Sequence, residues 1–194
     1  MKKIILIFLS LLLVGACALP VGAEEITEVP LYNQLDYPNT PYGNYGTVRS
    51  HGCGITCVAM VATYMLDDET LTPDILAEQF GKYNHKNGSG WELFPASAEE
   101  LGLGEVQQYF DWCDEIEDAL RNGQLVISNQ RKGIFTKSGH YILLVGMNED
   151  KVMVNDPNGA NYQSQMLKDR FEEGFEISSI RSHSACYWVY EKKA

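Results

Sequence analysis

From Val58 to Leu66 almost every position is apolar or small, with none of the polar stripe at 3.6-residue spacing that marks a surface helix. The pattern predicts a helix from Cys53 or Gly54 to about Leu66, surrounded by protein. Thr72 and Pro73 supply the N-cap and first position of a second helix, which Gly81 closes. A third is expected from Trp91 to Leu101, interrupted at Pro95 and ended by Gly102. A fourth runs from Asp111 to Asn122, with acids in its first turn and Arg121 before Gly123 at its end. The period then changes. Gln124–Ser128, His140–Gly146, Lys151–Asn155 and Cys186–Tyr190 read as strands rich in Val, Ile, Leu and Tyr, and Gln165–Glu173 as a short helix. Ahead of all these, Val29–Gln34 is a short extended entry, and Leu35–Val48 carries Pro38, Pro41, Gly43 and Gly46 as a loop. Helices followed by strands predict an α+β domain, a helical half with a buried cysteine helix packed on an antiparallel sheet.

The front of the chain changes the length to be folded. Met1-Lys2-Lys3 is a basic start, Ile4–Val14 an apolar core, and small residues follow, which is the layout of a secretory signal peptide over residues 1–23. Its apolar run is too short for a stable membrane anchor. The favoured cut is between Ala23 and Glu24. Val14-Gly15-Ala16-Cys17 offers a second, which would leave Cys17 as a lipidated N-terminus and tie the chain to the cell surface. Either cut places residues 24–194, one domain, outside the cytoplasm. The first removes two lysines and no acids, taking the formal net charge from −11 to −13. A chain this acidic is a poor partner for nucleic acid or an anionic membrane. A monomer with no membrane contact, apart from lipidation at Cys17, is expected.

Four cysteines lie beyond Ala23: Cys53, Cys57, Cys113 and Cys186. Cys53 stands out because glycines flank it in Ser50-His51-Gly52-Cys53-Gly54-Ile55. The glycines leave its sulfur open to a substrate and permit backbone angles that other residues resist. The partial positive charge at a helix N-terminus lowers a thiol pKa toward the thiolate. A thiolate nucleophile needs a base, a group to orient the base, and donors for an oxyanion. His140 opens one strand and Asp156 ends the next. A three-residue loop Met147-Asn148-Glu149 pairs strand positions that sum to 296, which sets His140 directly opposite Asp156 on one face, about 5 Å apart at Cβ. The carboxylate would hold the imidazole in one tautomer and leave its other nitrogen for sulfur. For the oxyanion, the Cys53 N–H is one donor and the amide of Gln34 a candidate second; Asn33 and Asn44 are alternatives.

These residues resemble a family. Val29-Pro30-Leu31-Tyr32-Asn33-Gln34, Gly52 to Met60, Gly139-His140-Tyr141 through Gly146, and Val154-Asn155-Asp156-Pro157 are similar to the bacteriocin-processing peptidase-like group, papain-like cysteine peptidases known for cutting leader peptides after a double glycine. The resemblance implies a papain-like fold with Cys53 as nucleophile, His140 as base, Asp156 as orienter and Gln34 as oxyanion donor. It spans about Val29 to Asn158. The chain departs from the group by its export signal, by the absence of a transporter and by the eighteen-residue loop between Gln34 and Cys53; these departures put the double-glycine substrate in doubt and leave the implied chemistry in place.

The expectation is a secreted papain-like cysteine peptidase acting on a peptide or protein through a Cys53 thioester. A non-catalytic peptide-binding module and a cysteine amidase or transferase fit the same residues. Cys57 reads as small core packing, His51 and His85 as loop residues, and His183 as a base without a carboxylate partner. Tyr37, Tyr42, Tyr45 and Trp91 fit a substrate groove or loop packing equally well. Cys53 and Cys57 have no second close pair to complete a zinc-ligand set, and no glycine-rich phosphate loop occurs, so no metal and no cofactor are expected.

Overall fold

The structure is a computed structural model that describes residues 28–159 and 172–191. Its centre is helix α2, Cys53–Leu66, in which every residue from Gly54 to Thr63 is buried. The helix stops at Asp67, whose left-handed backbone turns its N–H back to the Thr63 carbonyl. Ahead of it come a 3-10 turn at Gln34–Asp36, a hairpin of β1 (Pro41–Tyr42) and β2 (Gly46–Thr47), and the single-turn helix α1 (Val48–His51). These lie where the sequence predicted an extended entry and a loop. Strands of two residues are too short to leave a period.

Helix α3, Pro73–Phe80, follows the expected N-cap and proline. The tight hairpin β3 (Asn84–His85) and β4 (Gly88–Ser89) precedes helix α4, Leu93–Leu101. Pro95 does not break α4. It occupies the third helical position, where the missing N–H has no intrahelical acceptor to lose. Helix α5 begins at Asp114 rather than Asp111, after Cys113 as an extended N-cap.

The sheet runs β5 (Val106–Tyr109), β10 (Ser184–Tyr190), β6 (Leu125–Arg131), β7 (Gly139–Asn148), β8 (Lys151–Asn155) and β9 (Phe175–Glu176), antiparallel throughout. Both faces are covered. On one side α2, α3 and α4 pack on Leu125, Ile127, Tyr141, Leu143 and Trp188; on the other Ile116 and Leu120 of α5 and Ile180 of α6 (Ile177–Arg181) meet Val126, Ile142, Leu144 and Val189. The second layer explains why β6, β7 and β10 read as continuous apolar runs. The predicted helix over Gln165–Glu173 falls almost wholly outside the described residues, as does the predicted signal segment.

The β7–β8 hairpin departs from the expected register. Its turn is two residues, Glu149-Asp150, with Glu149 in a left-handed conformation and its carbonyl held by Arg121 Nη1 at 2.9 Å. Near the turn Asn148 pairs with Lys151 and Gly146 with Met153; beyond it Leu144 pairs with Val154 and Leu143 with Asn155. Val145 is therefore the extra residue of a β-bulge. Extending this register sets Asp156 opposite Ile142, two residues along the same face from His140, and not directly opposite His140 as predicted. The bulge decides the face. Without it Asp156 would fall opposite Leu143 and point to the other side of the sheet.

Candidate active site

Cys53 opens α2, and its sulfur meets the start of β7. β8 pairs no further than Leu143 with Asn155, because Asp156-Pro157 turns away and proline has no N–H to continue a ladder. The first residues of β7 are thus open on that edge, and there the Cys53 thiol lies against the Tyr141 N–H and the His140 ring. The glycines flanking Cys53 act differently from expectation. Gly52 has an ordinary negative φ, but a Cβ there would lie 2.4 Å from the Val48 carbonyl oxygen. A Cβ on Gly54 would lie 2.6 Å from Ser89 Oγ and 3.3 Å from the Tyr141 ring. Close packing against α1 and β4, rather than unusual backbone angles, requires both.

His140 Nε2 lies 2.7 Å from Asp156 Oδ1. That leaves Nδ1 as the ring nitrogen for sulfur. The imidazole and carboxylate are buried, and Cys53 alone of the three is partly exposed. Asp156 Oδ1 also accepts from the Asn158 N–H at 2.7 Å, while Oδ2 is buried with no hydrogen-bond partner. Burial pushes the Cys53 thiol up, but the hydrogen bond and charge of His140, with the N–H groups of Tyr141 and Gly54, outweigh it and set the thiol below its ordinary value. Burial pulls the His140 imidazole down, yet the Asp156 charge and hydrogen bond and the contact with Cys53 carry it up to about 10. The protonated His140 ring, held by Asp156, favours the thiolate form of Cys53, an arrangement able to attack an electrophilic carbonyl and to deliver a proton.

Gln34 is brought to the same place but is engaged elsewhere. Its backbone N–H donates to the Pro157 carbonyl at 2.8 Å, and its Nε2 to the Arg49 carbonyl at 2.8 Å and, more weakly, the Val48 carbonyl at 3.5 Å. Its Oε1 is buried without a partner. Gln34 therefore ties the Asp156–Pro157 turn to the helix that precedes Cys53. Asn33 caps the Gln34 turn by accepting from Leu35 N, which accounts for its side chain.

The cleft in front of the sulfur holds about 450 Å³ and is lined by Ser50, His51, Asn87, Gly88, Ser138 and Gly139 besides Cys53. A larger cleft of about 840 Å³, between β1 and α3, does not include Cys53. None of Tyr37, Tyr42, Tyr45 and Trp91 lines the reactive cleft. Tyr42 is buried and holds Ser89 Oγ at 2.9 Å, while Tyr141 Oη donates to the Ser89 carbonyl at 3.0 Å. These bonds fix β4, one wall of the cleft, to the strand carrying His140. The sequence reading missed this wall, and the Gly88-Ser89-Gly90 run was its only signal. Cys57 is buried in the core with its thiol pushed well up by burial. All four cysteines of the described residues are free thiols, and no cluster of three potential metal ligands occurs among those residues.

The Peptidase_C39 like family matches residues 26–182. Among solved structures, a putative C39-like peptidase from Bacillus anthracis aligns with a TM-score of 0.51 at 16% identity, covering 87% of this chain and 98% of that one. The peptidase domain of Streptococcus ComA, a bi-functional ABC transporter involved in a quorum-sensing pathway, aligns with a TM-score of 0.48 at 16% identity, over 77% of this chain and 97% of that one. The first likeness speaks to the fold alone. No curated protein matches the chain.

Proposed function

The chain belongs to the Peptidase_C39 like family, and on that premise we propose that it is a secreted cysteine peptidase of papain-like fold with Cys53 as nucleophile, His140 as base and acid, and Asp156 as orienter. The observation that carries the assignment is the continuous contact from the Cys53 sulfur through the His140 ring to Asp156 Oδ1. The Cys53 thiolate attacks the scissile carbonyl carbon, whose oxygen takes up the negative charge. The Cys53 N–H, in the first turn of α2 where no intrahelical acceptor exists, faces that oxygen. The Nε2 hydrogen of Gln34 that makes only the long contact to Val48 is the second donor.

The His140 Nδ1–H then protonates the leaving amine as the C–N bond breaks, leaving a Cys53 thioester. His140, now neutral, takes a proton from water, whose oxygen attacks the thioester carbonyl, and sulfur leaves as thiolate. Asp156 keeps its charge throughout and holds Nε2–H. Incubation with peptide substrates, followed by mass spectrometry of products and of a Cys53 acyl adduct, tests the scheme. Turnover is expected from the native chain and none from Cys53→Ala; cleavage surviving in Cys53→Ala refutes it.

Export is supported by the basic start, apolar core and small residues of positions 1–23. Mass analysis of protein recovered outside the producing cell is expected to show an N-terminus at Glu24. A lipidated Cys17 would replace the secreted reading with a surface-anchored one.

A further inference from the structure

We propose that the substrate is an anionic peptide, guided toward the Cys53 cleft by cations on the segments that line it. The proposal rests on the peptidase reading above and names its substrate class. The chain is strongly acidic overall, at −11, yet no residue lining the cleft is acidic. Three of the lining residues have a cation as chain neighbour: Arg49 beside Ser50, Lys86 beside Asn87 and Lys137 beside Ser138. A fourth, Arg131, is the ladder partner of Gly139, another lining residue. The four lie on α1, the β3–β4 turn, the β6–β7 loop and β6, beside residues of the lining and not in the lining itself. All are exposed.

Among the described residues, most cations elsewhere have carboxylate partners. Lys82 is paired with Glu100 at 3.0 Å, Arg121 with Glu117 at 3.9 Å and Lys151 with Glu173 at 3.7 Å, all away from the cleft. None of the four rim cations pairs with a described carboxylate; Arg49 Nη1 donates only to the Leu35 carbonyl, at 3.2 Å. Glu92, at the start of α4 just beyond β4, is held by His85 at 2.5 Å. A local positive field on an acidic protein attracts anionic ligands to one place and repels them elsewhere. It is expressed mainly in encounter and binding, hence in KM more than in kcat.

Two alkylating reagents separate charge from chemistry. Iodoacetate is anionic and iodoacetamide neutral, and each needs only the Cys53 thiolate. In Lys86→Gln/Lys137→Gln the iodoacetate rate at Cys53 is expected to fall about threefold at ~10 mM salt and to be almost unchanged at ~0.5 M, where screening is short-ranged. The iodoacetamide rate should stay within about twofold of the native rate at either salt. A glutamate-rich peptide should protect native Cys53 from iodoacetamide at about tenfold lower concentration than its glutamine counterpart at low salt. Equal protection by the two peptides, or an iodoacetate rate untouched by the double replacement, overturns the anionic-substrate proposal and leaves the peptidase reading standing. Failure of Cys53 to react faster than Cys113 with either reagent overturns the peptidase reading itself.

Discussion

Asp156→Asn isolates the contribution of charge from that of hydrogen bonding at the reactive pair. Both donors to Asp156, the His140 ring and the Asn158 N–H, converge on Oδ1 at 2.7 Å, and Oδ2 has no partner. An asparagine that keeps its oxygen at Oδ1 satisfies both donors and preserves the tautomer with Nδ1 facing sulfur. What it loses is the carboxylate charge. For charge centres about 4–5 Å apart and an effective dielectric near 20, that charge favours the imidazolium by about 3–4 kcal/mol, or 2–3 pKa units. The His140 transition, about 10 in the native protein, should therefore move to ~7–8 in the variant. His140 must be protonated to hold the thiolate partner and to serve the leaving amine, so activity is lost as pH rises through this transition. The assay is kcat/KM across pH 5–11, with the alkylation rate of Cys53 measured in parallel. Asp156→Asn should resemble the native protein near pH 6 and fall about 10- to 90-fold below it near pH 9. Asp156→Ala, which removes the hydrogen bond as well, should be impaired at every pH. A basic limb still near 10 in Asp156→Asn would refute the reasoning.

Other outcomes follow from the same geometry. In the native protein Cys53 should alkylate faster than Cys57, Cys113 or Cys186, whose thiols are all raised by burial; His140→Ala should erase the difference, and peptide mapping after a short iodoacetamide pulse reads both. Gln34→Ala should lower kcat on the order of 100-fold while leaving that alkylation rate near native, because alkylation builds no oxyanion. Gly54→Ala places a methyl against Ser89 and Tyr141 and should cost about 1–3 kcal/mol in urea unfolding. Stability should also depend on pH in one window. The raised His140 favours the folded state below its unfolded pKa and loses that advantage as pH rises to about 10, while the lowered Cys53 gains it as pH approaches the unfolded thiol value. The two oppose each other below the unfolded thiol value of ~8.5; above it the His140 loss stands alone up to about 10, about 2 kcal/mol that His140→Gln should not show.

Much of the site was legible because its chemistry is concentrated in short, unusual strings. Glycine on both sides of a cysteine, a histidine opening one strand and Asp-Pro closing the next named three residues that the fold brings together. The backbone angles expected of the glycines are not what requires them; the close neighbours that do, Val48 and Ser89, lie on separate elements and leave no mark beside Cys53. The hairpin arithmetic reached the right pair through the wrong register, for Val145 looks like any apolar strand residue and nothing announces it as a bulge. β5 escaped notice because Val106-Gln107-Gln108-Tyr109 is an edge strand with two polar centres. The second helical layer was hidden for a related reason: an apolar run does not say how many faces are covered.

The bulge at Val145 has a consequence for descent. Whether this hairpin supports the dyad depends on an odd or even count of residues between histidine and aspartate. Loss of a single codon there would separate the two side chains onto opposite surfaces while leaving every reactive residue in the gene. Silent descendants of this chain could thus carry an intact set of active-site letters, and inspection of those letters alone would misjudge them.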